Sequence, residues 1–575
     1  MKLVRVGAAV LNQTPLDWDG NKERIVGAIR QAQSEGVSVL CLPELCLTGY
    51  GCEDAFHGAD VHRLALQVLQ EILPSTRGII VSLGLPLMFN SAVFNTAVLA
   101  VDGKIAGFAA KRFLAGDGIH YEPRWFKPWP EGMLSRILIG GTEYPLGDLF
   151  FECGGIRIGF EICEDAWVAR RPGSGLSLHA VDIILNPSAS HFAFHKFEVR
   201  KRFVVEGSRA FGVTYVYSNL LGNEGGRVIY DGGALIASGG ELVAQGPRFS
   251  FDDFALSWAD IDIDATRTMR ARTGSFTPEL EPAAEQVAVS FSFPELRPQA
   301  REVRRAAWEE SASIKEEELA RAVALGLFDY LRKSRTDGFV VSLSGGADSS
   351  ACVCLVAVMV HLALGELGLA RLLLKLPKRI EPGAVKSARD LMGELLVCLY
   401  QGTKNSSAVT HQAAEAVARG VGAKFCAFAV DHLVDGYLAL AGDQLKRELT
   451  WERDDAALQN IQARVRAPAA WLIANLRNSL LLVTSNRSEA AVGYATMDGD
   501  TAGSLSPLGG VDKAFLRRWN QWLERDGLDG KFRVPELSYV NSQQPTAELR
   551  PPEYAQTDEK DLMPYEVLDQ IERAA

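Results

Sequence analysis

Apolar residues in this chain fall into two alternating textures. Short runs at 37–42, 78–83, 156–162, 182–185 and 213–217 are dense in apolar residues and too short for helices, which predicts strands. Residues 1–10 read as a first strand of the same kind. The stretches 21–35 and 196–211 carry helical spacing instead. Strands alternating with helices predict an α/β layered domain over residues 1–272. The texture then changes. Pro278, Pro282, Pro294 and Pro298 punctuate the chain and a charged run follows at 301–305, which predicts a linker over 273–310. From Ile314 a helix is predicted to lead into the apolar run 338–343, and α/β texture resumes to about residue 520, within a second domain spanning 311–575. The tail from Gly530 is rich in Pro, Gln, Glu and Asp and ends in a helical pattern at 565–571.

Composition narrows the picture. A length of 575 residues exceeds what one core supports, in line with two or three domains. The net charge of −11 argues against broad nucleic-acid binding, which needs a basic face. No apolar run approaches the roughly 20 residues of a membrane span, and the N-terminus reads as a strand rather than a signal peptide. Nine cysteines without a paired framework suit a reducing cytoplasm. Cys41, Cys46 and Cys52 are spaced wrongly for a compact zinc site, so buried thiols are expected there.

The chemistry-bearing stretch in the second half is the heptad SGGADSS at 344–350, set directly after the strand-like run 338–343. Small residues at a strand end let backbone N–H groups converge on a phosphate, and the apolar run 351–360 reads as a helix whose N-terminus faces the same anion. The heptad lacks the spacing and the lysine of a Walker loop. On its own it is also what a Gly-Ser turn between strand and helix looks like. It resembles the pyrophosphate loop of ATP pyrophosphatases, which implies ATP contacts from Ser344, Gly345, Gly346, Ala347, Asp348 and Ser349, with Asp348 placed to share a magnesium ion with the phosphates.

In the first half, three segments end a strand with one reactive side chain each: LPELCLTGY offers Glu44, KRFL offers Lys111 and GFEICEDAW offers Cys163. Together they suit acyl transfer from an amide: a thiolate attacks the carbonyl, a carboxylate moves the proton and an ammonium stabilises the oxyanion. Taken singly, Cys163 is also what a buried structural thiol looks like, and Lys111 and Glu44 what solvated charges look like. An unpaired charge after Pro43 and an apolar strand is costly, however. The pattern resembles the nitrilase superfamily, whose Glu-Lys-Cys triad rests on an α-β-β-α sandwich. The resemblance implies Glu44 as general base, Lys111 as stabiliser of the tetrahedral intermediate and Cys163 as nucleophile. It implies Glu122 as a second glutamate that orients the lysine and substrate. The segment LNPSASH at 185–191, with Lys196, is similar to the glutamine pocket of nitrilase-type glutaminases, which implies that Ser190 and Lys196 hold the amino-acid end of glutamine. One departure is clear: Asp117 stands where the family carries a tyrosine, and Tyr121 follows four residues later.

Further segments resemble the glutamine-dependent NAD synthetases, in which a nitrilase-type glutaminase is fused to a Rossmann-like ATP-pyrophosphatase domain. These are LYQGTKNSS at 399–407, ALQNIQAR at 457–464, LLVTSNRSE at 481–489, PLGGVDK at 507–513 and QPTAEL at 544–549. By position the resemblance implies ATP contacts from Thr484, Lys513 and Thr546. It implies deamido-NAD contacts from Asn460, Arg464 and Glu489, and magnesium held by Asp348 and Glu489. Met497 and Ser504 stand where several relatives carry a substrate-contacting lysine and an aspartate, and relatives commonly continue past the position of Ala575 into a segment with a further substrate-binding lysine.

The implied activity is glutamine-hydrolysing NAD synthesis. Glutamine, deamido-NAD and ATP with Mg2+ are the small-molecule partners, and a cytoplasmic homo-oligomer without nucleic acid or membrane is the setting. Two rivals remain at this stage: another ATP-dependent amide synthetase sharing the pyrophosphate loop, and a noncatalytic nucleotide-sensing relative.

Overall fold

The computed structural model describes residues 2–280, 286–297, 299, 303, 305–377, 380, 383 and 385–574. The chain divides into two compact units, Met1–Glu310 and Ser311–Ala575.

The first unit is built on two sheets. One has eight strands in the order Phe254–Asp262, Leu3–Leu11, Val39–Cys41, Ile80–Phe89, Ala92–Val101, Lys104–Ala110, Thr142–Gly147, Leu134–Ile139. The other has seven, in the order Glu241–Gln245, Leu235–Ser238, Thr214–Asn219, Ile183–Ser188, Ile156–Phe160, Phe150–Cys153, Gln286–Val289. The sheets pack through Leu3–Leu11 and Val39–Cys41 on one side and Ile183–Ser188 and Thr214–Asn219 on the other, with the Ser218 hydroxyl donating to the Ala9 carbonyl at 2.7 Å. Helices Trp18–Ser34 and Ala59–Ile72 cover one outer face, and Pro172–Leu178 and Lys196–Ala210 the other. A strand covered on both faces has no solvated side, which is why the central runs lack polar alternation. Leu3–Leu11 is buried from its second residue to its end. The α-β-β-α sandwich inferred from the sequence is the architecture present.

The expected strand at 78–83 is longer than its apolar run. It extends to Phe89 and pairs along its whole length with Ala92–Val101 across the turn residues Asn90 and Ser91, both with positive φ. A second tight turn at Asp102 and Gly103 (φ 48° and 82°) joins that strand to Lys104–Ala110. The twist of two-residue hairpins demands this left-handed backbone.

Part of the stretch 273–310, expected as a linker, is folded onto the first unit. Gln286–Val289 runs parallel to Phe150–Cys153 as an edge strand, and Trp308 is buried with the Arg248 guanidinium 5.3 Å from its ring centre. Pro282, Pro298, Arg301, Glu302 and Arg304 lie outside the described residues.

The second unit holds a parallel four-stranded sheet in the order Lys424–Ala429, Leu396–Gly402, Gly338–Ser342, Ser479–Leu482. The order of strands reverses at Gly338–Ser342, so the crevice for a ligand opens at its carboxyl end. The heptad leads from this strand into the helix Ala347–Lys375, which packs against Ile314–Lys333, Ala408–Val421 and Lys513–Arg525. This helix corrects one sequence expectation. Over 29 residues, with a mean hydropathy of 2.2 in its most apolar window, it is long and apolar enough to cross a membrane. Its apolar excess faces the unit's own core, where every residue from Ser349 to Val360 is buried. Helical backbone breaks at Gly368, where φ is 69°.

Candidate active sites

In the first unit Glu44, Lys111 and Cys163 follow the carboxyl ends of Val39–Cys41, Lys104–Ala110 and Ile156–Phe160. All three are buried, and Glu122 with them. Lys111 Nζ lies 2.6 Å from Glu44 Oε1 and 2.8 Å from both Glu122 oxygens. Burial works against the lysine's charge, but Glu122 and Glu44 outweigh it, and its pKa lies well above the usual lysine range. Glu44 Oε1 also accepts from Asn95 Nδ2 at 2.7 Å, whereas Glu44 Oε2 is buried without a partner. That free oxygen is a proton acceptor whose carboxylate burial has made more basic than usual. Cys163 sits at the start of the turn Cys163–Ala166 with φ of 46°. Burial, then the Glu44 charge, push its thiol pKa up while Lys111 pulls it down. The resting sulfur is therefore a protonated thiol beside a base, rather than a preformed thiolate.

Asp165 locks two of these loops together. Its Oδ1 accepts from the backbone N–H of Arg112 (3.2 Å) and Phe113 (2.8 Å), next to Lys111, while Oδ2 accepts from Ile162 N at 2.9 Å, next to Cys163. Ser190 Oγ is buried without a partner. Lys196 Nζ lies 5.5 Å over the Trp167 ring, and burial, then Arg200, lower its pKa to about 8. Tyr121 turns outward to the Arg227 guanidinium, and Asp117 is exposed.

In the second unit the heptad lines a cavity of about 390 Å³. Gly345 has φ +85°, and a Cβ there would sit 2.2 Å from the Thr410 carbonyl oxygen, so only glycine fits. Ser344 Oγ accepts from Gly346 N at 3.2 Å and lies 3.1 Å from Ser349 Oγ, which holds the loop's shape. Asn460, Thr484, Glu489, Lys513 and Thr546 line the same cavity. Lys513 Nζ donates to Asp348 Oδ2 and, at 3.3 Å, to Glu489 Oε1. Burial disfavours that ammonium, but Asp348 and Glu489 overcome it and keep it charged. Burial first, then repulsion from Asp348, raise the Glu489 pKa.

Arg464 is not brought to the cavity: it is exposed, and its Nε donates to the Met497 carbonyl at 2.9 Å. Arg466, two residues on, does line the cavity, its Nε donating to Gln401 O at 3.1 Å. Met497 is 71% exposed, and Ser504 Oγ accepts from Leu481 N at 3.3 Å.

Two family models match the chain, carbon-nitrogen hydrolase over residues 5–271 and NAD synthase over residues 319–573. The glutamine-dependent NAD(+) synthetase of Mus musculus is 33% identical across 97% of this chain and 81% of its own length. The chain belongs to the glutamine-dependent NAD(+) synthetase family. The crystal structure of a glutamine-dependent NAD(+) synthetase from Cytophaga hutchinsonii matches all of this chain and 86% of that one, at 41% identity and a TM-score of 0.82. One from Acinetobacter baumannii in complex with adenosine diphosphate, 20% identical, shares the fold over 95% of this chain and 86% of that one, with a TM-score of 0.70.

Against that family background the residues overlooked in the sequence become intelligible. Asn95 is an uncharged polar residue inside the apolar strand Ala92–Val101 and belongs to no motif, so nothing flagged it. Tyr50 and Asp165 stand inside quoted motifs and Asp500 between Met497 and Ser504, but none carries a spacing signal of its own. Asp500 lines the synthetase cavity, its Oδ1 accepting from Thr496 N at 2.7 Å. His120 and His191 carried no pattern either, yet their rings lie 2.9 Å apart, nitrogen to nitrogen, beside Lys196.

Proposed function

We propose that this member of the family makes NAD(+) by glutamine hydrolysis in one unit and ATP-driven amidation in the other. In the first, Glu44 Oε2 takes the Cys163 proton as sulfur attacks the amide carbon of glutamine. Lys111 stabilises the oxyanion, and the carboxylate returns the proton to the departing ammonia. Water then hydrolyses the thioester by the same base. Lys196 pairs with the α-carboxylate of glutamine and Ser190 Oγ supplies a hydrogen bond. The buried, unpartnered Ser190 hydroxyl supports that assignment.

In the second unit the nicotinate carboxylate of deamido-NAD attacks the α-phosphate of ATP, pyrophosphate leaves, and ammonia displaces AMP from the adenylate. Ser344, Gly345, Gly346, Ala347 and Ser349 cradle the phosphates at the helix N-terminus. Thr484 and Thr546 contact ATP, and Lys513 neutralises charge on the leaving pyrophosphate. Asn460 and Glu489 face deamido-NAD. Arg466 takes the cationic contact expected of Arg464. Asp348 and Glu489 fit Mg2+, because they already converge on one ammonium and a magnesium ion takes only one or two carboxylates besides phosphate and water. The ion supplies charge neutralisation on the phosphates when bound. Among the described residues no group of three or more His, Cys, Asp or Glu offers an alternative metal site.

The observation that carries this reading is the buried Glu44–Lys111–Glu122 cluster beside Cys163, on the same chain as the heptad cavity. A phosphate-activating synthetase alone has no use for an acyl-transfer centre. Its test is NAD(+) formation from deamido-NAD, ATP and Mg2+, with glutamine and ammonia compared side by side. Product with another nucleotide acid but none with deamido-NAD overturns the acceptor. Homo-oligomer formation and a cytoplasmic setting are proposed on the same family grounds.

A further inference from the structure

The loop at 114–121, where the chain departs from its family's tyrosine pattern, delivers His120 to the glutaminase site. Tyr50 OH donates to Glu122 Oε1 at 2.7 Å and lies 3.4 Å from His120 Nδ1. His120 Nε2 is 2.9 Å from His191 Nδ1, and Lys196 Nζ is 3.1 and 3.3 Å from the two nitrogens of His191. Glu122 accepts from Lys111 on both oxygens and from Ala115 N on Oε2, and Tyr50 OH donates to its Oε1.

The Tyr50 proton given to Glu122 sets the direction of the row as far as the two rings. With its proton given to Glu122, Tyr50 oxygen can only accept, so His120 carries hydrogen on Nδ1. His120 Nε2 must then accept, so His191 carries hydrogen on Nδ1. Lys196 Nζ, 3.1 Å from Nδ1 and 3.3 Å from Nε2, lies against both nitrogens of the His191 ring and ends the row there. Both rings must be neutral for this, and burial with nearby Lys196 lowers both imidazole pKa values, His191 to about 3. The charged groups facing the rings are Lys196, Lys111, Arg200, Glu122 and Asp231.

We propose that His120 and His191 are positioning residues that join the ammonium receiving the glutamine α-carboxylate to the glutamate that aims Lys111, so that substrate recognition and the oxyanion-stabilising lysine are held by one connected row of polar contacts. This rests on the glutamine-pocket reading above, in which Lys196 binds the carboxylate.

His120→Leu removes both a donor and an acceptor, whereas His120→Gln restores one of each on a single amide. The leucine variant is expected to lower kcat for the glutamine-driven reaction about tenfold or more, with KM changed less than about threefold, because misaimed catalytic groups cost rate before affinity. His120→Gln should recover most of the loss, and the ammonia-driven rate at the other site should be the same in both. Combining His120→Leu with Tyr50→Phe cuts the same row twice, so the double variant should be no slower than the slower single one. Additive losses, a change in KM alone, or equal activity of His120→Leu and wild type each overturn the proposal. Lys196→Met separates the two readings: a glutamine KM equal to wild type refutes the pocket assignment itself, whatever the histidine variants do.

Discussion

Cys163 is poised rather than activated. Its thiol is buried and protonated at rest, and Glu44 Oε2, a buried carboxylate oxygen without a partner, is the base proposed to remove the proton when an amide enters. Cys163→Ala should therefore abolish glutamine-driven NAD(+) synthesis and leave the ammonia-driven reaction near wild type, measured as NAD(+) formed with each nitrogen source. Loss of both in a folded variant would break the division of labour. Lys196 sets a pH dependence of its own. Its pKa is lowered to about 8, so the ammonium proposed to meet the glutamine carboxylate is present below that pH and lost as pH rises through it. The kcat/KM for glutamine, which reports the free enzyme, should fall above about pH 8. Lys196→Arg, whose guanidinium does not titrate there, should flatten that limb; an unchanged limb assigns it to another group.

Loops at strand ends carry both sites, and what fixes them is short-range. Asp165 accepts three backbone N–H bonds that tie the turn of Cys163 to the loop of Lys111. Asp165→Ala strands those donors, at about 1–3 kcal/mol for a buried unsatisfied group. It should lower the thermal midpoint of unfolding and cut glutamine-driven turnover at least tenfold. Normal turnover would show that the two loops hold their geometry without it. The apolar runs made the buried parallel strands legible because burial on both faces leaves nothing but apolar residues in a row. Ala92–Val101 and Lys104–Ala110 are rich in apolar residues too, with an unbroken run at 97–101, and what the structure adds is their antiparallel pairing through two-residue turns. Asp102-Gly103 was the readable sign of the second of these. The long helix Ala347–Lys375 was legible only in its stretch 351–360, and its excess of apolar residues reflects packing on several sides at once.

At the scale of the whole chain, two chemistries share one polypeptide, and they were unequally visible. The heptad announces itself because phosphate binding needs contiguous small residues after a strand. The parts of the synthetase cavity drawn from distant segments do not, which is why Arg464 was expected where Arg466 stands. The same logic governs the last prediction. Asp348 is gripped by Lys513 and by Asn486 Nδ2 at 2.8 Å, and it lines the cavity as part of the heptad itself. Asp348→Asn keeps the shape and the Asn486 contact but removes the charge that Lys513 shares and that the proposed metal ion would share. Pyrophosphate release from ATP and deamido-NAD should fall by about 100-fold or more, the scale of losing one electrostatic group at a developing charge. Glutamate release from glutamine, read separately, should persist, because the Cys163 cluster is assembled wholly from residues of the first unit. Raising Mg2+ should recover part of the rate if the lost carboxylate weakened metal binding. Equal loss of both activities in a folded variant would show that the two centres do not operate as separate machines.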